Sequence, residues 1–76
     1  MNTVLKILSE IRPEFDFSTS EDFIADGMLD SLDVVTLVSA IDKHYRISIA
    51  GTEIVPENFS STAMIAALIH RNGGRL

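Results

Sequence analysis

Cysteine is absent from this chain of 76 residues, and proline and glycine are scarce, with two and four copies. The absence of cysteine excludes disulfide bonds and thiolate metal sites, and it leaves the redox compartment open. A chain of this length forms one domain, 1-76, with a single small core and little stability to spare. We therefore expect no sizeable enclosed active-site cavity.

Long apolar runs and an excess of basic residues are also missing. Lys6, Ser9 and Glu10 interrupt the apolar N-terminal segment, so neither a secretion signal nor a membrane span is predicted. We therefore expect a cytoplasmic monomer. The formal net charge of −5 argues against binding to nucleic acid, which requires a basic surface. An acidic surface favours basic protein partners instead.

Lysine and arginine are absent from one long segment, Glu14 to Asp42, which contains eight Asp or Glu residues. Carboxylates crowded in this way repel one another, and salt screens that repulsion over about 8 Å at physiological ionic strength. We expect salt or a divalent cation to stabilise the fold, with weak cation binding and no catalytic metal. The alternative is an ordinary solvated acidic surface. The acids concerned are Glu14, Asp16, Glu21, Asp22, Asp26, Asp30 and Asp33.

Helical periodicity of the apolar residues predicts an all-α fold, a small bundle of three main helices. The seventeen residues from Glu14 to Asp30 lack any persistent period, and their aromatic and aliphatic side chains, Phe15 and Phe23 among them, are expected to anchor this loop to the core. The predicted helices span Thr3–Arg12, Ser31 to Tyr45 or Arg46, and Ser60 or Ser61 to Arg71, with a short helical turn at 56–59 in third position.

The second predicted helix has apolar residues on more than one face. One stripe is the natural core face and consists of Val34, Leu37, Val38, Ile41 and Tyr45. Leu32 and Val35 lie off that stripe. They form either a second buried strip or an exposed apolar patch.

Ser31, at the predicted start of this helix, is the most informative residue of the chain. A catalytic serine needs a base within hydrogen-bond reach. His44 lies thirteen residues along the same helix, about 20 Å away at 1.5 Å per residue. His70 sits near the far end of the last helix without an acidic partner nearby in sequence. We therefore predict no catalytic triad and no enzyme activity, and the histidines show no metal-ligand spacing.

Two interpretations of Ser31 remain open at this point. Ser31 can cap the helix, because serine oxygens accept hydrogen bonds from free N–H groups of the first turn. Asp30 can cap it equally well, which would leave Ser31 at the first helical position, exposed and free. A phosphate on an exposed hydroxyl there would be favoured by the helix dipole and the unpaired N–H groups.

The run Gly27-Met28-Leu29-Asp30-Ser31-Leu32-Asp33 matches the attachment signature G-x-x-D-S-[LIVMF]. With it, the chain resembles the acyl and peptidyl carrier proteins, which bear 4′-phosphopantetheine on a serine. The resemblance covers essentially the whole chain and implies a four-helix bundle with the arm on Ser31. It also implies a phosphopantetheinyl transferase, an acyl- or aminoacyl-activating ligase and downstream transferases as partners. Further matching residues are Ile47-Ser48-Ile49, Phe59, Ser60-Ser61-Thr62 and Ile65.

Three departures separate the chain from fatty-acid-type carriers. Thr36 stands where a glutamate is usual, Lys43-His44 replace acidic residues, and Ile49-Ala50-Gly51 replaces the familiar Ile-Pro. The chain looks closer to stand-alone carriers of amino acids such as D-alanine. The cargo stays open between fatty acyl, polyketide and amino acid. Five β-branched residues either line a cleft for an acyl chain or are plain core: Val34, Val38, Ile41, Ile54 and Ile65.

A docking patch for partner enzymes is expected beside the arm. Two apolar side chains ringed by carboxylates provide a small interface with electrostatic steering. The alternative function is an unmodified acidic helical protein-interaction module that uses this face alone. The predicted docking residues are Asp30, Leu32, Asp33, Val35 and Asp42.

Overall fold

The computed structural model describes residues 2–75, with side chains from Thr3 onward, so Met1 and Leu76, the ends of the predicted domain, lie outside the described residues. Within that range the chain is all-helical and contains no strand. Helix α1 spans Asn2–Ile11, α2 spans Ser31–Tyr45 and α3 spans Thr62–Arg71. Three short 3₁₀ turns cover Phe17–Thr19, Gly51–Glu53 and Pro56–Phe59. The three main helices predicted from periodicity are confirmed to within two residues at each end.

Helix α1 packs against both α2 and α3 through its apolar face. Val4, Ile7 and Leu8 are buried, whereas Lys6 and Glu10 on the opposite face are exposed. The helix ends just before Pro13, which cannot continue the ladder of backbone hydrogen bonds. This end places Arg12 immediately beyond the last turn of α1.

The connection between α1 and α2 is irregular but anchored by aromatic rings. Phe17 packs edge to face with Phe15 at 6.2 Å and with Phe23 at 5.0 Å between ring centroids. Phe17 and Phe23 are buried, as are Met28 and Leu29 at the end of the connection. The prediction that apolar side chains anchor this loop to the core is therefore confirmed.

Helix α2 buries Val34, Leu37 and Ile41, while Val38 and Tyr45 at the edge of the same stripe are half-buried. The helix ends at Arg46, which adopts a left-handed conformation with φ of 56°. Such a residue commonly terminates a helix, because its N–H can bond back to the last turn. Here the N–H of Arg46 donates to the carbonyl of Asp42.

The connection between α2 and α3 contains the predicted helical turn as a 3₁₀ turn at Pro56–Phe59. Pro56 occupies its first turn, and only four residues share the 3₁₀ conformation. A fourth α-helix, as the resemblance implies, is therefore not confirmed. Phe59 is fully buried and fixes the turn against the core.

Helix α3 begins after Ser61, whose hydroxyl accepts the N–H of Met64 at 3.1 Å. Ile65, Leu68 and Ile69 are buried, and Met64 is 40 % exposed, so Ile65 is the core residue of its first turn. The chain leaves the helix through Gly73, with φ of 88°, and Gly74. A Cβ on Gly74 would overlap the side chain of Ile69, so this position requires glycine.

The three helices and both connections contribute to one hydrophobic core. No polar or charged residue is buried within residues 3–75. None of the helices described is both long and apolar enough to cross a membrane. The buried residues are Val4, Ile7, Leu8, Phe17, Phe23, Met28, Leu29, Val34, Leu37, Ile41, Ile49, Phe59, Ile65, Leu68 and Ile69.

Candidate functional site

The start of α2 is capped by Asp30, and Ser31 is the first helical residue. The carboxylate of Asp30 accepts the N–H of Asp33 at 2.9 Å, and the carboxylate of Asp33 accepts the N–H of Asp30 at 3.1 Å. This reciprocal arrangement is a capping box built from two aspartates. Ser31 is exposed and is not the residue that caps the helix. Of the two interpretations of Ser31, the structure therefore supports the exposed serine.

Arg12 reaches across from the end of α1 to this capping box. Its Nε donates to Oδ2 of Asp33 at 2.9 Å, and its Nη1 donates to Oε2 of Glu14 at 3.1 Å. Nη2 lies 3.9 Å from Oδ2 of Asp30. The guanidinium carbon lies 5.8 Å from the centroid of the Phe15 ring. One arginine thus contacts three carboxylates and an aromatic ring.

The sequence interpretation missed Arg12, because it looked for Lys or Arg only within the acidic segment, which contains neither. Arg12 precedes that segment by two positions, and twenty-one positions separate it from Asp33. No local spacing rule connects residues that far apart. The available signal was the position of Arg12 at the end of an amphipathic helix, directly before Pro13.

The opposite charges at the start of α2 stabilise the charged forms of Asp30 and Arg12. The N–H of Asp33, with a smaller contribution from Arg12, lowers the pKa of the Asp30 carboxyl below its ordinary value. The hydrogen bond to Asp33 raises the pKa of the Arg12 guanidinium, against a smaller opposing effect of desolvation. Asp30 and Arg12 are therefore both charged at neutral pH.

Leu32 and Val35 are the two most exposed large apolar side chains of the described residues, with 76 % and 62 % of their surface accessible. The interpretation of these residues as a second buried strip is therefore wrong. Single exposed apolar residues are common on protein surfaces. These two lie one turn apart on the same helix, next to the exposed Ser31, so they form a small apolar patch.

The structure does not bring Asp42 together with the other predicted docking residues. Asp42 lies twelve residues after Asp30, about 18 Å along the helix. It is half-buried, and its carboxylate accepts the N–H of Ile49 at 3.1 Å. Asp42 thus ties the end of α2 to the connection that follows, whereas Asp30, Leu32, Asp33 and Val35 cluster in the first turns.

Several acids of the first connection accept hydrogen bonds from nearby donors in the chain. Asp16 accepts the N–H of Ser18, and its pKa is lowered by the Ser18 hydroxyl first and by that N–H second. Asp22 accepts the N–H groups of Ile24 and Ala25 at 3.1 and 3.0 Å. Within the described range, no group of three or more carboxylate or histidine side chains is arranged to hold a metal ion.

The two histidines lie near the C-terminal ends of α2 and α3, whereas Ser31 is the first residue of α2. His44 is exposed near the C-terminal end of α2, with its ring 4.8 Å from that of Tyr45, and His70 is exposed near the end of α3. Three of the five β-branched residues are buried and two are half-buried against the same core, which fits the plain-core alternative. The five are Val34, Val38, Ile41, Ile54 and Ile65.

A scan against protein-family models, a search of curated proteins and a search of solved structures each find nothing that matches this chain. The resemblance to carrier proteins therefore stays a prediction from the sequence, based on the residues around Ser31.

Proposed function

We propose that this chain is a discrete carrier protein that tethers an acyl or aminoacyl group as a thioester on 4′-phosphopantetheine attached to Ser31. The observation that supports the proposal most is the difference between Asp30 and Ser31. Asp30 caps α2 with its carboxylate, so Ser31 is left as an exposed residue at the first position of the helix. A tethered arm needs such an attachment point.

The surroundings of Ser31 suit a phosphodiester in part. The N-terminus of a helix carries about half a positive charge, which favours a bound phosphate. Asp30 and Asp33 on either side oppose it, and Arg12 offsets some of their charge. When bound, the group supplies a flexible thiol that holds the cargo.

The chain provides the acceptor hydroxyl, and a partner provides the catalysis. The bond between Ser31 Oγ and the phosphate nearest pantetheine forms as the diphosphate bond of coenzyme A breaks. Adenosine 3′,5′-bisphosphate leaves, and the hydroxyl proton passes to a base of the phosphopantetheinyl transferase. His44 stands about 20 Å along the helix and does not serve as this base. The protein itself is not an enzyme in this proposal.

Tethering is the contribution of the carrier to the reactions of its partners. A ligase loads the thiol, and downstream transferases meet the cargo at a raised effective concentration. The proposal includes a monomeric protein that acts in the cytoplasm. An amino acid such as D-alanine is the cargo we favour, because the β-branched residues are packed as core and a small cargo needs no cleft.

Intact mass spectrometry tests the attachment. The purified chain is incubated with coenzyme A and a broad-specificity phosphopantetheinyl transferase, and we expect a gain of one phosphopantetheinyl group. Ser31→Ala should abolish the gain. Ser39→Ala is the matched control, because Ser39 is also an exposed serine of α2, and it should keep the gain. No gain would favour an unmodified acidic interaction module, and a gain that survives Ser31→Ala would mean that another residue is modified. Either result would overturn the proposed carrier function at Ser31.

Partner docking is the second element of the proposal. Leu32 and Val35 supply an apolar contact beside Ser31, and Asp30 and Asp33 supply negative charge that speeds encounter with a basic partner. Asp42 contributes charge farther along the helix. Val35→Asp should slow loading of the arm while the helical circular dichroism stays unchanged. Met64→Asp, at an exposed apolar position of α3, is the matched control and should leave the loading rate unaltered.

Cargo size is tested by nuclear magnetic resonance on the loaded protein. If the carrier takes amino acids, attachment of a long acyl chain should shift only resonances near Ser31. Shifts that spread beyond the first turn of α2 to Ile41 and Ile65 would instead show that the chain enters the core, and they would favour a fatty acyl or polyketide cargo.

A further inference from the structure

A single oxygen of Asp33 links α1 to the start of α2. Oδ2 of Asp33 accepts the Nε–H of Arg12 at 2.9 Å and the backbone N–H of Asp30 at 3.1 Å. Asp33 is only 15 % exposed in its side chain, so this contact is sheltered. Arg12 therefore holds the carboxylate that completes the capping box around Ser31.

The charge balance around Ser31 depends on the same arginine. Asp30, Asp33 and Glu14 surround one guanidinium. A phosphodiester on Ser31 would add a further negative charge to this group. The helix dipole offers only about half a charge in compensation.

We propose that Arg12 is the positioning residue of the Ser31 site, which fixes the capping box and offsets the charge that a phosphodiester adds there. This inference rests on the proposed function, because it concerns the modified form of the protein. It gives a role to a residue that directly follows α1 and lies outside the signature around Ser31. Arg12 acts through Asp33 and Asp30 and does not touch the reacting hydroxyl.

The chain offers a matched ion pair for comparison. Arg71 donates its Nε–H to Oε1 of Glu53 at 2.9 Å, the same geometry as in the pair of Arg12 and Asp33. Arg71 and Glu53 are also partly exposed. This pair joins the end of α3 to the second connection. Because Arg12 meets three carboxylates and Arg71 meets one, the comparison uses the difference between the modified and unmodified forms of each variant.

The test compares melting temperatures of the unmodified and the phosphopantetheinylated protein. Arg12→Gln should cost the modified form about 2–5 °C more than the unmodified form, as expected for one exposed charge pair in a small domain. Arg71→Gln should lower the melting temperature of both forms equally. The extra loss in Arg12→Gln should shrink toward zero at about 1 M salt, where the screening length is about 3 Å.

A second measurement uses the unaltered protein and so does not depend on the folding of a variant. Attachment of the arm should shift the Nε–H resonance of Arg12 and leave that of Arg71 in place.

Arg12→Lys keeps the charge. Its extra loss of melting temperature on attachment of the arm should therefore be smaller than that of Arg12→Gln.

The possible failures are distinguishable. If the unaltered protein gains no mass with coenzyme A and transferase, the proposed function and this inference both fall. If it gains the mass but Arg12→Gln destabilises both forms equally, or the Arg12 resonance stays in place on attachment, Arg12 is only structural. The inference is then overturned while the carrier function stands.

Discussion

The two connections that flank α2 are both fixed to the core, yet they satisfy their polar groups in different ways. Phe23 anchors the first and Phe59 the second, each fully buried, and the N–H of Phe23 donates to the carbonyl of Ser60 at 2.6 Å. In the first connection, carboxylates such as Asp16 and Asp22 accept backbone N–H groups. In the second, backbone carbonyls of the 3₁₀ turns accept the N–H groups, and the side-chain amide of Asn58 donates to the carbonyl of Glu53 at 2.7 Å.

The difference shows where charge is placed relative to Ser31. The first connection leads directly to Ser31 and keeps negative charge along the way, with Arg12 as its counter-charge. The second connection is held by the pair of Arg71 and Glu53 and by Asn72. The acidic residues are therefore concentrated in the first connection, which leads to the candidate site, and the second connection depends less on charge.

Truncation of the two buried phenylalanines tests whether the anchors are equivalent. Phe23→Ala and Phe59→Ala should each lower the free energy of unfolding by about 3–5 kcal/mol, because each leaves a cavity in a single small core. Urea denaturation followed by circular dichroism measures the loss. Phe15→Ala, at a half-buried position, is the control and should cost less. A small loss at only one of the two buried positions would contradict equivalent anchoring.

The helix caps at the ends of the two connections should differ in their response to substitution. Ser61→Ala removes one accepted hydrogen bond and should cost about 1 kcal/mol of stability. Asp30→Ala removes one half of a capping box and a partner of Arg12, so its melting temperature should fall further than that of Ser61→Ala. Asp30→Asn keeps a good cap and should retain most of the stability. A larger loss in Ser61→Ala would contradict the importance of the capping box.

Acid should weaken the first connection more than the second. The pKa values of Asp16 and Asp30 are lowered in the folded protein, mainly by the Ser18 hydroxyl and by the N–H of Asp33, and that of Glu53 is lowered, mainly by Asn72. A lowered folded pKa gives stability that is present above the ordinary pKa, 3.8 for Asp and 4.5 for Glu, and lost as pH falls through the lower folded value. The melting temperature should therefore fall below about pH 4.

Substitution of the acids by their amides localises this acid effect. The double variant Asp16→Asn with Asp30→Asn should show a flatter decline of melting temperature in acid than Glu53→Gln does. Thermal scans at a series of pH values provide the measurement. Equal slopes in the two variants would show that the two connections share the acid sensitivity evenly.

Of the changes considered, added salt should alter the melting temperature least. Raising ionic strength from about 0.01 M to about 0.15 M shortens the screening length from about 30 Å to about 8 Å and weakens repulsion among the acids of the first connection. We expect a rise in melting temperature of a few degrees, made smaller by the ion pairs of Arg12. Arg12→Gln should enlarge the rise. A melting temperature unmoved by salt and by millimolar calcium or magnesium would show an ordinary solvated acidic surface.

The helices and the candidate serine were accessible from the sequence, because each depends on residues close together in the chain. The apolar stripe of α2 repeats within fifteen residues, Pro13 ends α1, and Gly73 and Gly74 follow α3. The candidate attachment residue, Ser31, is marked by its immediate neighbours. The sequence could not choose between Asp30 and Ser31 as the cap, since both residue types accept the same N–H groups.

Tertiary structure decided what the local pattern left open. Leu32 and Val35 are exposed because no other element covers that side of α2 within the described residues, and no periodicity argument reveals that. Arg12 meets Asp33 across twenty-one positions because α1 packs against α2 and ends beside its first turn. The sequence by itself therefore determined the helical elements and the acidic surroundings of Ser31. Only packing determined which cation balances those acids, since contacts between distant residues depend on how the helices meet.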